Sequence, residues 1–485
     1  MQRDSIRLNM MRSIVMEPLA SLIASPDVRN QLFDVIVWLN ESFHSGTGAA
    51  AEAVRSRIKD LDSSATASSQ YCFARLTAAQ ILQLAAETRT QIRVSGRNAA
   101  PIFQIWSDND LHTTLTRSLI TVKADAAQRA FQALGEGIVW AVLDSGIDAT
   151  HPHFVEFDNL RVPEPLAHTD FTAGSSAPLT DEPGHGTHVA GIIAGRWHNA
   201  AAPTVLGREA RCESDDASDL HLEPLATISG VAPRCKLLSL KIIGPEGGGK
   251  VSWALRAIGR IQQWNQYGRR LLIHGANLSL GYDFDPRWFA CGQSPLCVEV
   301  NRLVRSGVSV VVSAGNGGYS SFITSSGASL EKFSDMSITD PGNAELAITT
   351  GSTHREMPHT YGVSYFSSKG PTGDGRLKPD LVAPGECILS CAAGDSKVKA
   401  AAGLPSDRNF DYGDQNFDYI EDSGTSMAAP HVSGAIAAFL SVRREFIGRP
   451  SEVKRLFMAN ATDLKRDRAF QGSGLLDLMR VIQAV

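Results

Sequence analysis

Four polar residues stand in glycine-rich turns, each beside an apolar segment: Asp144, His185, Asn316 and Ser426. Asp144 closes the run IVWAVL and precedes Ser-Gly. An acid there can orient a neighbouring cation, or merely cap a turn. His185 lies between two glycines in DEPGHGTHVAG. That leaves room for a substrate to reach a general base, although a histidine can also cap a helix. Asn316, in VVVSAGNGG, offers uncharged N–H donors suited to an oxyanion that forms only in a transition state. It could equally be a left-handed turn residue next to glycine. Ser426, in EDSGTSMAAPHVSG, opens an apolar helix, where free N–H groups and the positive helix end favour a developing negative charge; a plain helix cap is the alternative. Together the four supply an orienter, a base, an oxyanion donor and a nucleophile, and the order Asp, His, Ser is one in which hydrolytic triads occur. His151, His153, His185 and His188 form HPH and HGTH pairs, but no cysteine cluster or H-E-x-x-H accompanies them, so a zinc site is not expected.

The elements that must hold these residues are legible as apolar runs. Ile138–Leu143, Cys235–Ile243, Leu271–Leu280 and Val308–Gly315 read as continuous buried strands, with helical stretches such as Val251–Tyr267 between several of them. Such alternation predicts an α/β domain with a mostly parallel central sheet and helices on both faces, its site at the carboxyl ends of the strands. Residues 30–115 predict a smaller α+β unit: a strand at Phe33–Leu39, a helix at Ala50–Leu61, a strand at Tyr71–Leu76, a helix opened by a Thr77/Gln80 capping box, and a strand at Pro101–Trp106. Segments 196–228, with the acidic residues Glu213, Asp215, Asp216 and Asp219, and 392–420, with a duplicated NFDY, read as surface insertions.

The chain has 485 residues, 43% hydrophobic and 20% charged, with a net charge of −5. These values fit a soluble globular protein and give no reason to expect nucleic acid or an anionic membrane as partner. No uninterrupted apolar run approaches the roughly 18 residues that cross a bilayer. Glu17 and Pro18 interrupt the apolar stretch after Arg3, Arg7 and Arg12, so no signal peptide is expected. Seven cysteines, an odd number, suit reduced thiols and a cytoplasmic location, with secretion as the alternative; Cys291/Cys297 and Cys387/Cys391 are close enough in sequence to pair.

The sequence resembles the subtilisin-like serine proteases. VLDSGIDATHPHF, HGTHVAG, SAGN and GTSMAAPHVSG look like the family's aspartate, histidine, oxyanion and serine motifs, and GVAPRCKLLSLKI, NLSLGY, FSSKGP, KPDLVAPG and GSGLLDL extend the match from Gly135 to the C-terminal end. The resemblance implies a serine endopeptidase: Asp144 orients His185, His185 takes the proton of Ser426, and Asn316 with the Ser426 N–H holds the oxyanion. It implies that substrate pairs as an extra strand with Gly247, Gly248 and Gly249 and with Ser279, Leu280 and Gly281, and that Gly317 and Thr339, near Asp340, line a pocket for an uncharged side chain. FARLTAAQILQL and the strand after it resemble a ferredoxin-like inhibitory propeptide. The expected organisation is then an extension at 1–29, a propeptide-like domain at 30–115 and a catalytic domain at 116–485, with self-cleavage within residues 110–120, near Leu115–Thr116, and His112–Leu115 in the groove.

The chain also departs from the pattern. The position after HP that gives an aspartate ligand to a strong calcium site is His153, and LEPLATISGVAP replaces the usual calcium loop. No cofactor or metal is therefore expected, with a weaker ion site left open. The expected partners are peptide or protein substrates, the chain's own N-terminal unit as inhibitor, and a regulatory protein. The competing reading is a catalytically idle scaffold that binds peptides or a partner in the same groove.

Overall fold

The computed structural model describes residues 14–16, 19–23, 28–62, 65–67, 70–107, 117–172, 177–198, 205–210, 220–225, 227–283, 285, 287, 290–323, 329–396 and 418–485. The chain divides into two compact units, Met1–Thr113 and Thr114–Val485.

The first unit is a split βαββαβ arrangement. Strands β1 (Leu32–Leu39), β2 (Thr66–Ala67), β3 (Tyr71–Thr77) and β4 (Ile102–Ser107) form an antiparallel sheet in the order β2-β3-β1-β4. The short strand β2 was not expected from the sequence. Helix α1 (Thr47–Lys59) buries Ala50, Val54 and Ile58. Helix α2 (Ala78–Ser95) starts from Thr77, whose side chain accepts from the Gln80 N–H while the Gln80 side chain meets the Thr77 N–H; the capping box predicted there is made. Of the segment at 1–29, expected to be an extension, residues 14–16 and 19–23 are described next to this sheet and contribute to this unit. Val15 pairs with Ile105, and Ile14, Val15, Leu19, Ala20 and Ile23 join the core of the sheet. The apolar stretch that resembles an interrupted leader is used as core.

The second unit is built on seven parallel strands: β5 (Val139–Asp144), β6 (Thr169–Asp170), β7 (Lys236–Lys241), β8 (Gly275–Leu278), β9 (Ser309–Ser313), β10 (Ile348–His354) and β11 (Leu381–Glu386). Their order is β11-β10-β9-β8-β5-β7-β6, every pairing parallel. β5, β7, β8 and β9 are buried on both faces, which is why they read as unbroken apolar runs. Trp140, Val142, Leu237 and Val311 enter one core, while Val139, Ala141, Leu143, Leu238, Val310 and Val312 enter the other. Helices α3 (His185–Ile193) and α6 (Thr425–Val442) cover the first face; α4 (Val251–Trp264) and α5 (Pro295–Arg305) cover the second. Helix α6 is long and apolar enough to cross a bilayer, yet Thr425 and Met427 through Leu440 are buried in this core.

The strand sequence departs in three places from what the apolar runs predict. β6, β10 and β11 carry no long apolar run: β6 is two polar, half-buried residues, and buried hydroxyls in ITTGSTH and a proline in LVAPGE disguise the other two. Strand β5 sits between β7 and β8, so the strand order reverses around it, and in such sheets the crevice at the carboxyl ends beside this point is where ligands bind. The two segments expected as surface insertions meet: a hairpin of Val205–Ala210 and Leu220–Leu225 pairs through its first strand with β13 (Tyr419–Asp422), which also pairs with β12 (Ile388–Cys391). The acidic cluster and most of the NFDY duplication lie outside the described residues.

Candidate active site

Asp144 is the last residue of β5 and almost fully buried. Its Oδ1 lies 2.7 Å from Nδ1 of His185, the first residue of α3. The same oxygen accepts the Ser145 N–H at 2.8 Å, so the turn-capping role and the orienting role are filled together. A second buried acid supports the pair. Asp181 accepts from Ser145 Oγ at 2.7 Å, from the Gly184 N–H at 3.0 Å, and from the N–H and hydroxyl of Thr187 at 2.7 and 2.6 Å. It thereby fixes the turn that launches α3, and burial holds its carboxyl above the usual range against these hydrogen bonds. Burial pulls the His185 pKa down, but the charge and hydrogen bond of Asp144, with Asp422 and Asp181 behind them, outweigh it and raise it to about 9.

Ser426 lies in the first turn of α6, a helix with no side-chain cap. Its Oγ donates to the Ser279 carbonyl at 3.1 Å. Among the described residues no hydrogen bond joins this hydroxyl to His185. Asn316 follows β9 and has no positive φ, since Gly315 takes the left-handed turn with φ 104°. Its Oδ1 accepts both the N–H of Thr425 at 2.9 Å and the Thr425 hydroxyl at 3.0 Å. Those two donors identify the oxygen, so the Nδ2 group is turned outward; a Cβ on Gly424 would stand 3.3 Å from it. Asn316 is thereby held to Thr425, the residue before Ser426, and among the described residues no hydrogen bond occupies its Nδ2.

His185 and Ser279, whose carbonyl accepts from the Ser426 hydroxyl, line a cleft of about 450 Å³ together with Gly247, Gly249, Lys250, Leu280, Gly281 and Tyr282 among others. Of the residues expected to bind substrate, Gly248 and Gly317 do not line it. The Gly248 carbonyl turns back to accept the Gly244 N–H at 2.8 Å, and the Gly317 N–H is bonded to Ser368 Oγ at 3.0 Å. Thr339 packs close to Gly281, within 2.5 Å of where a Cβ would sit. Asp340 is buried, with Oδ1 bonded to Asn343 Nδ2 at 2.8 Å and its backbone paired with Tyr282. Sequence reasoning missed Ser145, Asp181, Thr187, Thr425 and Asp422. The hydroxyls of Ser145 and Thr425, directly beside Asp144 and Ser426, and of Thr187, two residues after His185, were the available signal.

A family model of the subtilase family matches residues 135–475. The chain belongs to the subtilase family. Among curated relatives, it is 29% identical over 348 residues to the major intracellular serine protease of Bacillus subtilis strain 168, covering 71% of this chain and 82% of the relative. It is 28% identical to the serine protease AprX of the same strain, covering 69% of this chain and 63% of that longer relative. It is 26% identical to the intracellular serine protease of Paenibacillus polymyxa, over 78% of this chain and 90% of the relative. By family this subtilase is a subtilisin-like serine endopeptidase.

One departure of this subtilase has a structural form. The ring of His153 is buried, its Nδ1 3.1 Å from the Tyr419 hydroxyl and its Nε2 3.2 Å from the Gly191 carbonyl. Burial above all, with His151 beside it, lowers its pKa to about 3. A neutral imidazole with both nitrogens engaged does not fit calcium, which takes oxygen ligands. Among the described residues no group of three or more His, Cys, Asp or Glu is placed to hold a metal. Among the described residues, Cys291 and Cys297 are not joined to each other, nor are Cys72 and Cys235 in a disulfide.

Proposed function

We propose that Ser426 is the nucleophile of a peptide hydrolase that works through an acyl-enzyme. Asp144 fixes the tautomer of His185 by accepting from Nδ1, which turns Nε2 toward the cleft. The Ser426 hydroxyl leaves the Ser279 carbonyl, gives its proton to Nε2, and its oxygen attacks the scissile carbonyl. The developing oxyanion is met by the Ser426 N–H and Asn316 Nδ2. His185 then returns the proton to the leaving amine, and water repeats the sequence on the ester. The substrate lies as an added strand along Ser279–Gly281 and Gly247–Gly249, which frees the hydroxyl by competing for the Ser279 carbonyl. The side chain before the cut is uncharged, because Thr339 is neutral and Asp340 is already bonded within the protein. No calcium is required at the His153 position.

The same reading makes the first unit an inhibitory propeptide, removed by self-cleavage near Leu115–Thr116, a stretch outside the described residues. The enzyme acts in the cytoplasm; two of the relatives are named as intracellular. The observation that carries the proposal is that His185, bonded to Asp144, and Ser279, bonded to Ser426, line the same cleft. A peptide library tests it. Wild-type protein should cut after apolar residues and Ser426→Ala should cut nothing, whereas a strict preference for Arg or Lys would overturn the pocket assignment and cleavage by Ser426→Ala the nucleophile.

A further inference from the structure

Helix α6 contains a proline as its sixth residue, Pro430. Proline has no N–H, so the carbonyl four residues earlier loses its helical partner. That carbonyl belongs to Ser426. It is not orphaned, because Ser279 Oγ donates to it at 2.8 Å. Ser279 in turn accepts from Asn277 Nδ2 at 2.9 Å, and Asn277 Oδ1 accepts from Ser433 Oγ at 2.8 Å. All three side chains are buried. Every hydrogen in this chain is assigned: an amide nitrogen can only donate, so the Ser279 hydroxyl must point its own hydrogen at Ser426. Ser426 and Ser433 are seven residues apart, on one face of α6, so the chain ties that face to β8 at Asn277 and to Ser279 just beyond it.

We propose that Ser279 is a positioning residue for the nucleophile, its hydroxyl taking the place of the amide N–H that Pro430 lacks. This rests on Ser426 being the nucleophile. The bond holds the peptide that follows Ser426, and with it the Oγ and the N–H aimed at the oxyanion. Pro430 thus hands control of the nucleophile's backbone from the helix to the substrate-binding segment. The hydroxyl is separate from the Ser279 carbonyl, so removing it leaves the strand-pairing edge intact.

The test is kinetic and uses the mature protein obtained from the full chain, a fluorogenic peptide and a fluorophosphonate. Ser279→Ala should lower kcat and the labelling rate by at least about tenfold, as a displaced reacting group does, with KM within about twofold. Adding Pro430→Ala to Ser279→Ala restores an N–H within reach of the Ser426 carbonyl and should recover at least about a third of the lost kcat, a rescue that general loosening of the core would not give. Asn277→Asp is the second probe. A carboxylate cannot donate to Ser279, draws its hydrogen away from Ser426, and should reproduce the Ser279→Ala loss at almost unchanged volume. Wild-type kcat in Ser279→Ala, or a loss in it that Pro430→Ala does not relieve, overturns the proposal. If Ser279→Ala fails to fold, Asn277→Asp alone decides, with wild-type labelling as the overturning result. Failure of the nucleophile assignment looks different: the wild-type protein itself would then not be labelled at Ser426.

Discussion

At the scale of single residues, the site depends on groups fixed before substrate arrives. Asn316 is held by two donors from Thr425, and Thr425 Oγ1 accepts the Gly315 N–H at 3.1 Å. Replacing Asn316 by Ala should lower kcat and kcat/KM together by on the order of 10²–10³, the magnitude known for this donor in subtilisin itself, because the interaction exists only in the transition state. Steady-state kinetics on one peptide checks this; unchanged turnover would exclude Asn316 from the oxyanion site. The charge around His185 sets the pH dependence. Its pKa is raised to about 9, with Asp422 contributing after Asp144. The base works only when neutral, so kcat/KM should climb with pH through that pKa, giving an alkaline optimum. Asp422→Asn removes a negative charge that favours imidazolium. The pKa should fall, the acid limb should move to lower pH, and activity at neutral pH should rise. A profile in which Asp422→Asn shifts the limb upward, or not at all, would show that the carboxylate does not act on His185.

At the scale of elements, the glycines of the motifs divide into site and packing roles. Gly434, the last residue of the serine motif, lies where α6 crosses near α3. A Cβ there would stand 2.6 Å from Val231 Cβ and 3.1 Å from the Ile193 carbonyl. Gly434→Ala forces these apart and should cost about 1–3 kcal/mol of stability, as overpacking does, seen as a lower urea midpoint at unchanged slope. An unaltered midpoint would mean the helices have room to spare. The same crossing shows what the sequence could and could not reveal. Strands β5, β7, β8 and β9 were legible because burial on both faces leaves an uninterrupted apolar run. β10 was not: its buried Thr349 and Ser352 are satisfied by the Gly342 carbonyl at 2.7 Å and the Ser364 hydroxyl at 2.9 Å, partners visible only in three dimensions. β11 was hidden by Pro384, which is tolerated because this strand lies at the sheet edge. Asp144, His185, Asn316 and Ser426 were legible because reactive groups need small neighbours. Asp181 and the Ser279 hydroxyl were not, since each acts by reaching a residue distant in sequence.

At the scale of the whole molecule, the chain carries a seven-stranded subtilase unit and a βαββαβ unit that draws in Ile14, Val15, Leu19, Ala20 and Ile23 as core. If this unit restrains the enzyme, purified wild-type protein should acquire a new N-terminus within residues 110–120, while Ser426→Ala should remain a single chain; N-terminal sequencing distinguishes them. An intact wild-type chain already fully active on peptides would rule out restraint, and a cut persisting in Ser426→Ala would show that another protease makes it. Truncation at residue 30 should destabilise the first unit, because Val15 and Leu19 are fully buried in its core; a truncated unit as resistant to proteolysis as the complete one would contradict that packing. The claim on which the rest depends is that the chain is a working hydrolase with Ser426 as its nucleophile, and not an idle peptide-binding scaffold. Mass-spectrometric mapping after treatment of mature wild-type protein with a fluorophosphonate tests it most directly. The adduct should fall on Ser426 alone, with labelling lost in His185→Ala; an unlabelled Ser426 in processed, folded protein would contradict it.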